Sequence, residues 1–273
     1  MSHARAGWGR LKRFYWKAYE DNLTGLSAMV AYNMLLSLLP VALLALFIAG
    51  RVLQSDEVER NVLADLRDLF PDTAESTLTD LLQGLRDFST SLGIAAVVAS
   101  IWIGTSFWGA LDTAFCRIYH LRCRSWLEQK RFALAMLLVA LLFVFATVIV
   151  PTVQGLLTAT AEDLPFGLSD VPGVLFVATL AVGVLLLFGT LCVIYRAVPN
   201  TAVPWRAIWP GAALATIAIA IVDIAFPFYL SHISTIEELG TTLVFVVIVL
   251  LWFYVLAIIV LGGAVINALR LRE

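Results

Sequence analysis

The side chains of this chain that could do chemistry are few, and most sit within or at the ends of long apolar runs. Asp223 interrupts an otherwise uncharged stretch from residue 207 to 231. A lone carboxylate in hydrocarbon costs at least ~2.5–3.5 kcal/mol, so such a group either faces a polar interior or reaches the headgroup layer. Asp112 closes a second run, with Arg117 and Arg196 as the cations available to pair with it. Arg196 and Asn200 together suit an anionic headgroup, or else cap the helix that ends there. Tyr32, Asn33, Gln154 and Asn267 place neutral polar groups inside apolar runs, where they form interhelical hydrogen bonds or line a cavity. Trp102 and Trp252 lie near mid-run, so each is expected to turn inward and find a partner for its indole N–H. Pro40 and Pro227 free the carbonyls of Leu36 and Asp223, which predicts two helix kinks: ordinary bends, or broken helices beside a polar cavity.

Catalytic constellations are missing from this set. The histidines, His3, His120 and His232, are dispersed, and no metalloprotease, P-loop, nucleophile-elbow or dinucleotide motif occurs. The expectation is therefore no enzyme, no metal and no cofactor. Basic residues from Arg5 to Lys17 alternate with Trp8, Phe14, Tyr15, Trp16 and Tyr19, a mixture able to stack bases. Directly before an apolar run it reads instead as an interfacial helix on anionic lipid, so membrane lipids are the expected partner and nucleic acid is not.

The elements that must position these residues follow from composition. The 273 residues are 61% hydrophobic and 14% charged, against roughly 45–50% and 25% in soluble domains. Uncharged runs cover 22–50, 88–111, 132–161, 171–195, 207–222 and 239–269. Each approaches or exceeds the ~20 residues a helix needs to cross ~30 Å of hydrocarbon. Fourteen of the 18 Lys and Arg fall in the N-terminal arm, the even-numbered loops and the tail. The bias places both termini in the cytoplasm. The expected fold is an all-α integral membrane protein with six transmembrane helices, a single domain over 1–273 with a cytoplasmic interfacial arm over 1–25. Cys116, Cys123 and Cys192 fall at the reducing side, so no disulfide is expected.

Between spans one and two, residues 51–91 carry helical periodicity in two halves split by Pro71, with Asp72 to Glu75 as a start signal for the second. The prediction is an extracytoplasmic amphipathic helical hairpin with an acidic face. It lies over the bundle or docks an envelope partner. Small residues at four-residue spacing mark contact faces: Ala96, Ser100 and Gly104; Ala212, Thr216 and Ala220; Ala264 and Ala268.

Several segments carry a resemblance. Ala31-Tyr32 through Ser37-Leu38-Leu39-Pro40, Ala110-Leu111 through Arg117-Ile118-Tyr119, Tyr195-Arg196-Ala197-Val198-Pro199-Asn200 with Trp205-Arg206 and Pro210-Gly211, and Leu250-Leu251-Trp252-Phe253-Tyr254 with Gly263-Ala264 and Asn267 stand in this order. Over residues ~15–270 the chain resembles the YihY/BrkB family of bacterial inner-membrane proteins. That resemblance implies six membrane helices in the cytoplasmic membrane and links to serum resistance and envelope lipid export. It also carries an old ribonuclease label, which suits neither the missing metal cluster nor the missing soluble basic domain. The leading expectation is a transporter or exporter of a small or lipid-like anionic substrate, with a cavity holding Tyr32, Asn267 and Asp223. The alternatives are a non-transporting scaffold of envelope machinery acting through 51–91 and, least favoured, a membrane ribonuclease.

Overall fold

The computed structural model describes residues 2–47, 98–141, 172–232 and 241–271. The expected hairpin over 51–91, Gln154 and most of the third run lie outside them. Every regular element among the described residues is helical. In chain order these are α1 (Ser2–Glu20), α2 (Leu23–Phe47), α3 (Ser106–Tyr119), α4 (Pro172–Ala197), α5 (Trp205–His232) and α6 (Thr241–Leu271). Residues 98–104 and 126–141 are helical as well.

Two of these helices contain stretches long and apolar enough to cross a membrane, Trp205–Asp223 and Val247–Leu271, and shorter apolar stretches cover Leu23–Leu38 and Gly183–Ala197. At 1.5 Å per residue, 25 residues extend ~37 Å, more than the hydrocarbon thickness. α2 continues through Pro40 to Phe47, and α5 through Pro227 to His232, so neither proline ends its helix.

The chain forms two compact units. The first holds residues 1–33, 109–129 and 176–273; the second holds 34–108 and 130–175. In the second, Gly104 lies against Val41 and Leu137, which fits its place in a small-residue stripe. Trp102 corrects the expectation of an inward indole: it is exposed, and the Lys130 ammonium stands 4.1 Å from its ring centroid. A cation of the helix over residues 126–141 thus stands over the ring, an attraction to its negative face.

The uncharged run 88–111 also does not form one continuous helix. It breaks at Thr105, whose hydroxyl donates to the Trp102 carbonyl at 2.7 Å, and α3 begins at Ser106. α3 is amphipathic, burying Ala110, Leu111, Ala114, Phe115, Ile118 and Tyr119 at three- and four-residue spacing. It ends in a paired C-terminal turn: the Leu121 N–H donates to the Cys116 carbonyl and the His120 N–H to the Arg117 carbonyl, with His120 at φ 53°. This is the six-to-one and five-to-two pattern that terminates helices, usually with glycine at the left-handed position.

The core of the first unit collects Leu111, Phe115 and Ile118 of α3, Tyr195 of α4, Ile208 of α5, and Leu261 and Val265 of α6, all essentially inaccessible. α5 and α6 pack along one another, and α1 rests on α6. Ala212, Thr216, Ala264 and Ala268 are buried and Ala220 is partly so, and the small-residue stripes of these two helices thus lie on their buried faces.

Candidate functional site

The polar residues of the first unit fall into three groups, each created by a local chain event. The first is built on Asp112, 2% exposed within α3. Its partner is Arg124, correcting the expectation of Arg117 or Arg196: Arg124 Nη1 donates to Asp112 Oδ1 and, at 2.7 Å, to the Val198 carbonyl. Gln129 Nε2 reaches Asp112 Oδ2 at 3.2 Å and the Gly109 carbonyl at 3.1 Å. The turn at His120 explains the choice. It sends residues 121–125 back along α3, which brings Arg124 opposite a carboxylate 12 positions earlier, whereas Arg117 is exposed. The same reversal joins Cys116 to Cys123 in a disulfide with Cα atoms 5.3 Å apart, correcting the expectation of three free thiols; Cys192 alone is free and buried.

The following helix opens with the Glu half of a capping box. The Ser125 N–H donates to Glu128 Oε2 at 2.9 Å, and that bond, helped by the Ser125 hydroxyl, holds the Glu128 carboxyl below its ordinary value.

The second group is the junction of α4, α5 and α6. Asn267 is fully buried and its Oδ1 accepts the Gly211 N–H at 3.0 Å, the interhelical bond expected of it. The Tyr195 hydroxyl donates to the Val260 carbonyl at 2.8 Å. Two glycines permit this approach: a Cβ on Gly211 would overlap Asn267 Oδ1 and the Gly263 carbonyl, and one on Gly263 would overlap the Tyr195 hydroxyl. At the end of α3, the Tyr119 hydroxyl faces the Asn267 amide closely enough for the amide to act on it, but short of good hydrogen-bond geometry, and neither Tyr119 Oη nor Asn267 Nδ2 makes a well-formed hydrogen bond among the described residues. Burial pushes the Tyr119 phenol far above its usual range, with the neighbouring amide pulling weakly the other way.

The third group was not singled out by sequence. Lys17, a surface cation by its type, is 6% exposed; it donates to Asp21 Oδ2 at 2.7 Å and to the Ile118 carbonyl at 2.8 Å. His120 Nε2 sits 3.1 Å from Asp21 Oδ1. Asp21 and Asn22 form the sharp link between α1 and α2, with Asn22 at φ 54°, a conformation Asn tolerates. The available signal was the position of Lys17 one turn before that acid.

The remaining predicted residues are spread out. Arg196 donates to the Val203 carbonyl at 3.2 Å and stands 5.6 Å over the Trp205 ring, while the Asn200 amide reaches the Arg122 carbonyl at 3.4 Å. They therefore tie loops together. Asn33 donates to the Met29 carbonyl of its own helix at 2.8 Å. Tyr32 and Asp223 are exposed, whereas Asn267 is buried, and Trp252 is half-buried. Among the described residues no group of three His, Cys, Asp or Glu is placed to hold a metal ion.

Comparison with known proteins adds a family. A profile described as virulence factor BrkB matches residues 14–273. The putative ribonuclease-like protein YfkH of Bacillus subtilis is 26% identical over 89% of this chain and 88% of its own length. Proteins named UPF0761 membrane protein are 25% identical in Delftia acidovorans, over 91% of this chain, and 26% identical in Chromobacterium violaceum, over 88%. This chain spans 59% and 56% of those two proteins, so each extends well beyond the shared part. No solved structure matches.

Proposed function

Because this chain belongs to the virulence factor BrkB family of membrane proteins, we propose that it is a six-span protein of the bacterial cytoplasmic membrane, with both termini cytoplasmic, that moves a small or lipid-like anionic substrate. The observation that carries this reading is the pair of buried polar atoms at the α3–α6 contact, Tyr119 Oη and Asn267 Nδ2, which face one another without a well-formed hydrogen bond among the described residues. A buried polar group without a partner costs about 1–3 kcal/mol. A bundle held together for packing alone has no use for that cost, whereas a path that admits water or a polar substrate does. The basic residues gathered at the cytoplasmic ends of the proposed spans would favour an anion arriving there.

Leaflet exchange of fluorescent phosphatidylglycerol and phosphatidic acid in proteoliposomes, read by quenching of the outer leaflet, tests the transport reading. Protein-dependent exchange is expected, slowed in Tyr119→Phe. That substitution removes a hydroxyl with no well-formed bond to lose, so a slower rate in a protein at least as stable as the parent reports contact with the moving species. No protein-dependent exchange of either lipid overturns the reading. For the topology, single cysteines at Lys130 and Asp80 should label from opposite sides of the membrane; labelling from one side removes the six-span arrangement.

A further inference from the structure

Where α1 meets the end of α6 and the turn after α3, the first unit has a cavity of about 340 Å³. Lys12, Arg13, Trp16, Lys17, Glu20 and His120 contribute to its lining. Among the lining residues and the neighbouring Asp21, the cations Lys12, Arg13 and Lys17 thus outnumber the carboxylates Glu20 and Asp21 three to two before any charge on His120 is counted. Its depth is set by buried groups. Lys17 offers three donors, of which Asp21 and the Ile118 carbonyl take two. Asp21 in turn holds His120, so a cation and an imidazole at the cavity wall are fixed by one carboxylate on the α1–α2 link. The outer wall is supplied by the exposed side chains of Lys12, Arg13 and Trp16.

We infer that this cavity binds a phosphate group, as a lipid headgroup or as a soluble phosphate. A guanidinium provides a planar fork and an ammonium a compact point charge, the two devices proteins combine on phosphate oxygens. The position fits a ligand at a membrane boundary: the apolar part of α2 begins at Leu23, two residues after Asp21, and Leu269 near the end of α6 also lines the cavity. Trp16, half-exposed beside these cations, is the residue type that settles at a headgroup layer. A diffuse basic surface would lack the concave volume and the buried lysine. The inference shares with the transport reading only the sign of the ligand's charge, and binding at this site does not require that anything be moved.

The test uses the detergent-solubilised full chain with three probes: inorganic phosphate, dioctanoyl phosphatidic acid, and dioctanoyl phosphatidylcholine as a zwitterionic control. Saturable binding of phosphate or phosphatidic acid is expected, weakened about tenfold or more in Lys12→Gln/Arg13→Gln. The exposed pair Arg131→Gln/Arg206→Gln, which removes the same charge elsewhere, should bind as the parent does. Phosphatidic acid binding without phosphate binding assigns a lipid source, and the reverse assigns a soluble one; either supports the site. An equal loss in both double variants, tight phosphatidylcholine binding, or no saturable binding of either phosphate probe overturns it. Unchanged thermal unfolding of the variants separates lost binding from lost fold. Binding without leaflet exchange would remove transport and leave the site standing, and exchange without binding would do the opposite.

Discussion

The glycine seam between α5 and α6 and the polar end of the same unit solve opposite problems. Along the seam, Gly211 and Gly263 remove side chains so that two backbones approach, and Asn267 Oδ1 accepts the Gly211 N–H directly across the gap. At the polar end, Asp112, Arg124, Gln129, Lys17 and Asp21 bring charge into the unit and neutralise it through turns. Lipid supplies no hydrophobic force between helices, so the seam depends on close packing. The charged end depends on completeness, since a buried ion retained without its partner is far more costly than none.

The largest effect should therefore come from leaving half of a charged pair. Arg124→Met strands Asp112 in the interior and is expected to cost about 3–5 kcal/mol. Asp112→Leu combined with Arg124→Met should recover most of that loss, as a double-mutant cycle on detergent-induced unfolding would show. A single-variant cost below about 1 kcal/mol, the range of exposed pairs, would mean that water reaches the carboxylate and that the contrast with the seam is false.

Overfilling the seam comes next. Gly263→Ala drives a methyl group into the Tyr195 hydroxyl and toward the Gly211 carbonyl, with an expected cost of about 1–3 kcal/mol. Adding Tyr195→Phe removes the nearest obstacle and should return part of the loss. Recovery stays incomplete because the ring carbon Cζ still lies 2.9 Å from the added Cβ and the bond to Val260 is gone. If Gly263→Ala is neutral, the helices separate freely and the seam is not tightly packed.

A third substitution pair compares the two solutions within one contact. Asn267→Leu leaves the Gly211 N–H without its acceptor and should cost about 1–3 kcal/mol, whereas Tyr119→Phe removes a buried hydroxyl that lacks a well-formed bond and should cost nothing or stabilise, by up to about 1–3 kcal/mol. Equal costs would show that the Tyr119 hydroxyl is bonded after all, and the argument for a polar path at this contact would fall.

How much of this was legible in the sequence divides along the same line. The seam could be read: Ala212, Thr216, Ala264 and Ala268 recur at helical spacing, and Gly263 and Asn267 belong to a recognisable family pattern. Periodicity encodes which face a helix buries, and these contacts depend on faces alone. The polar end could not be read, because its partners depend on where turns fall. His120 occupies a left-handed position that usually selects glycine, so nothing at that point announced the reversal that delivers Arg124 to Asp112 and Cys123 to Cys116. Lys17 looked like one more cation of a basic arm, and only the chain reversal at Asp21 and Asn22 buries it. The break at Thr105 was hidden for a related reason: an uncharged run does not show where one helix stops and an amphipathic one starts.

The smallest expected effect lies just past that reversal, at the start of the helix over residues 126–141. Glu128 is fully exposed, and its carboxyl is held below its ordinary value first by the Ser125 N–H, then by the Ser125 hydroxyl, and more weakly by attraction to Arg122 and Arg124. A carboxyl depressed in the folded state stabilises it above the unfolded value near ~4.3, and that contribution disappears as the pH falls through the folded value. Hydrogen exchange at the Ser125 amide should therefore be protected near neutrality and lose protection as acidification takes the pH through the depressed folded value. Glu128→Gln, whose amide oxygen still accepts, should keep much of the protection and lose its pH dependence. Glu128→Ala should remove the protection at every pH, while Arg124 stays on Asp112 and global stability barely changes. Global unfolding in Glu128→Ala would mean that the capping box, and not the buried ion pair, holds the returning segment in place, reversing the order of strength argued for this end of the unit.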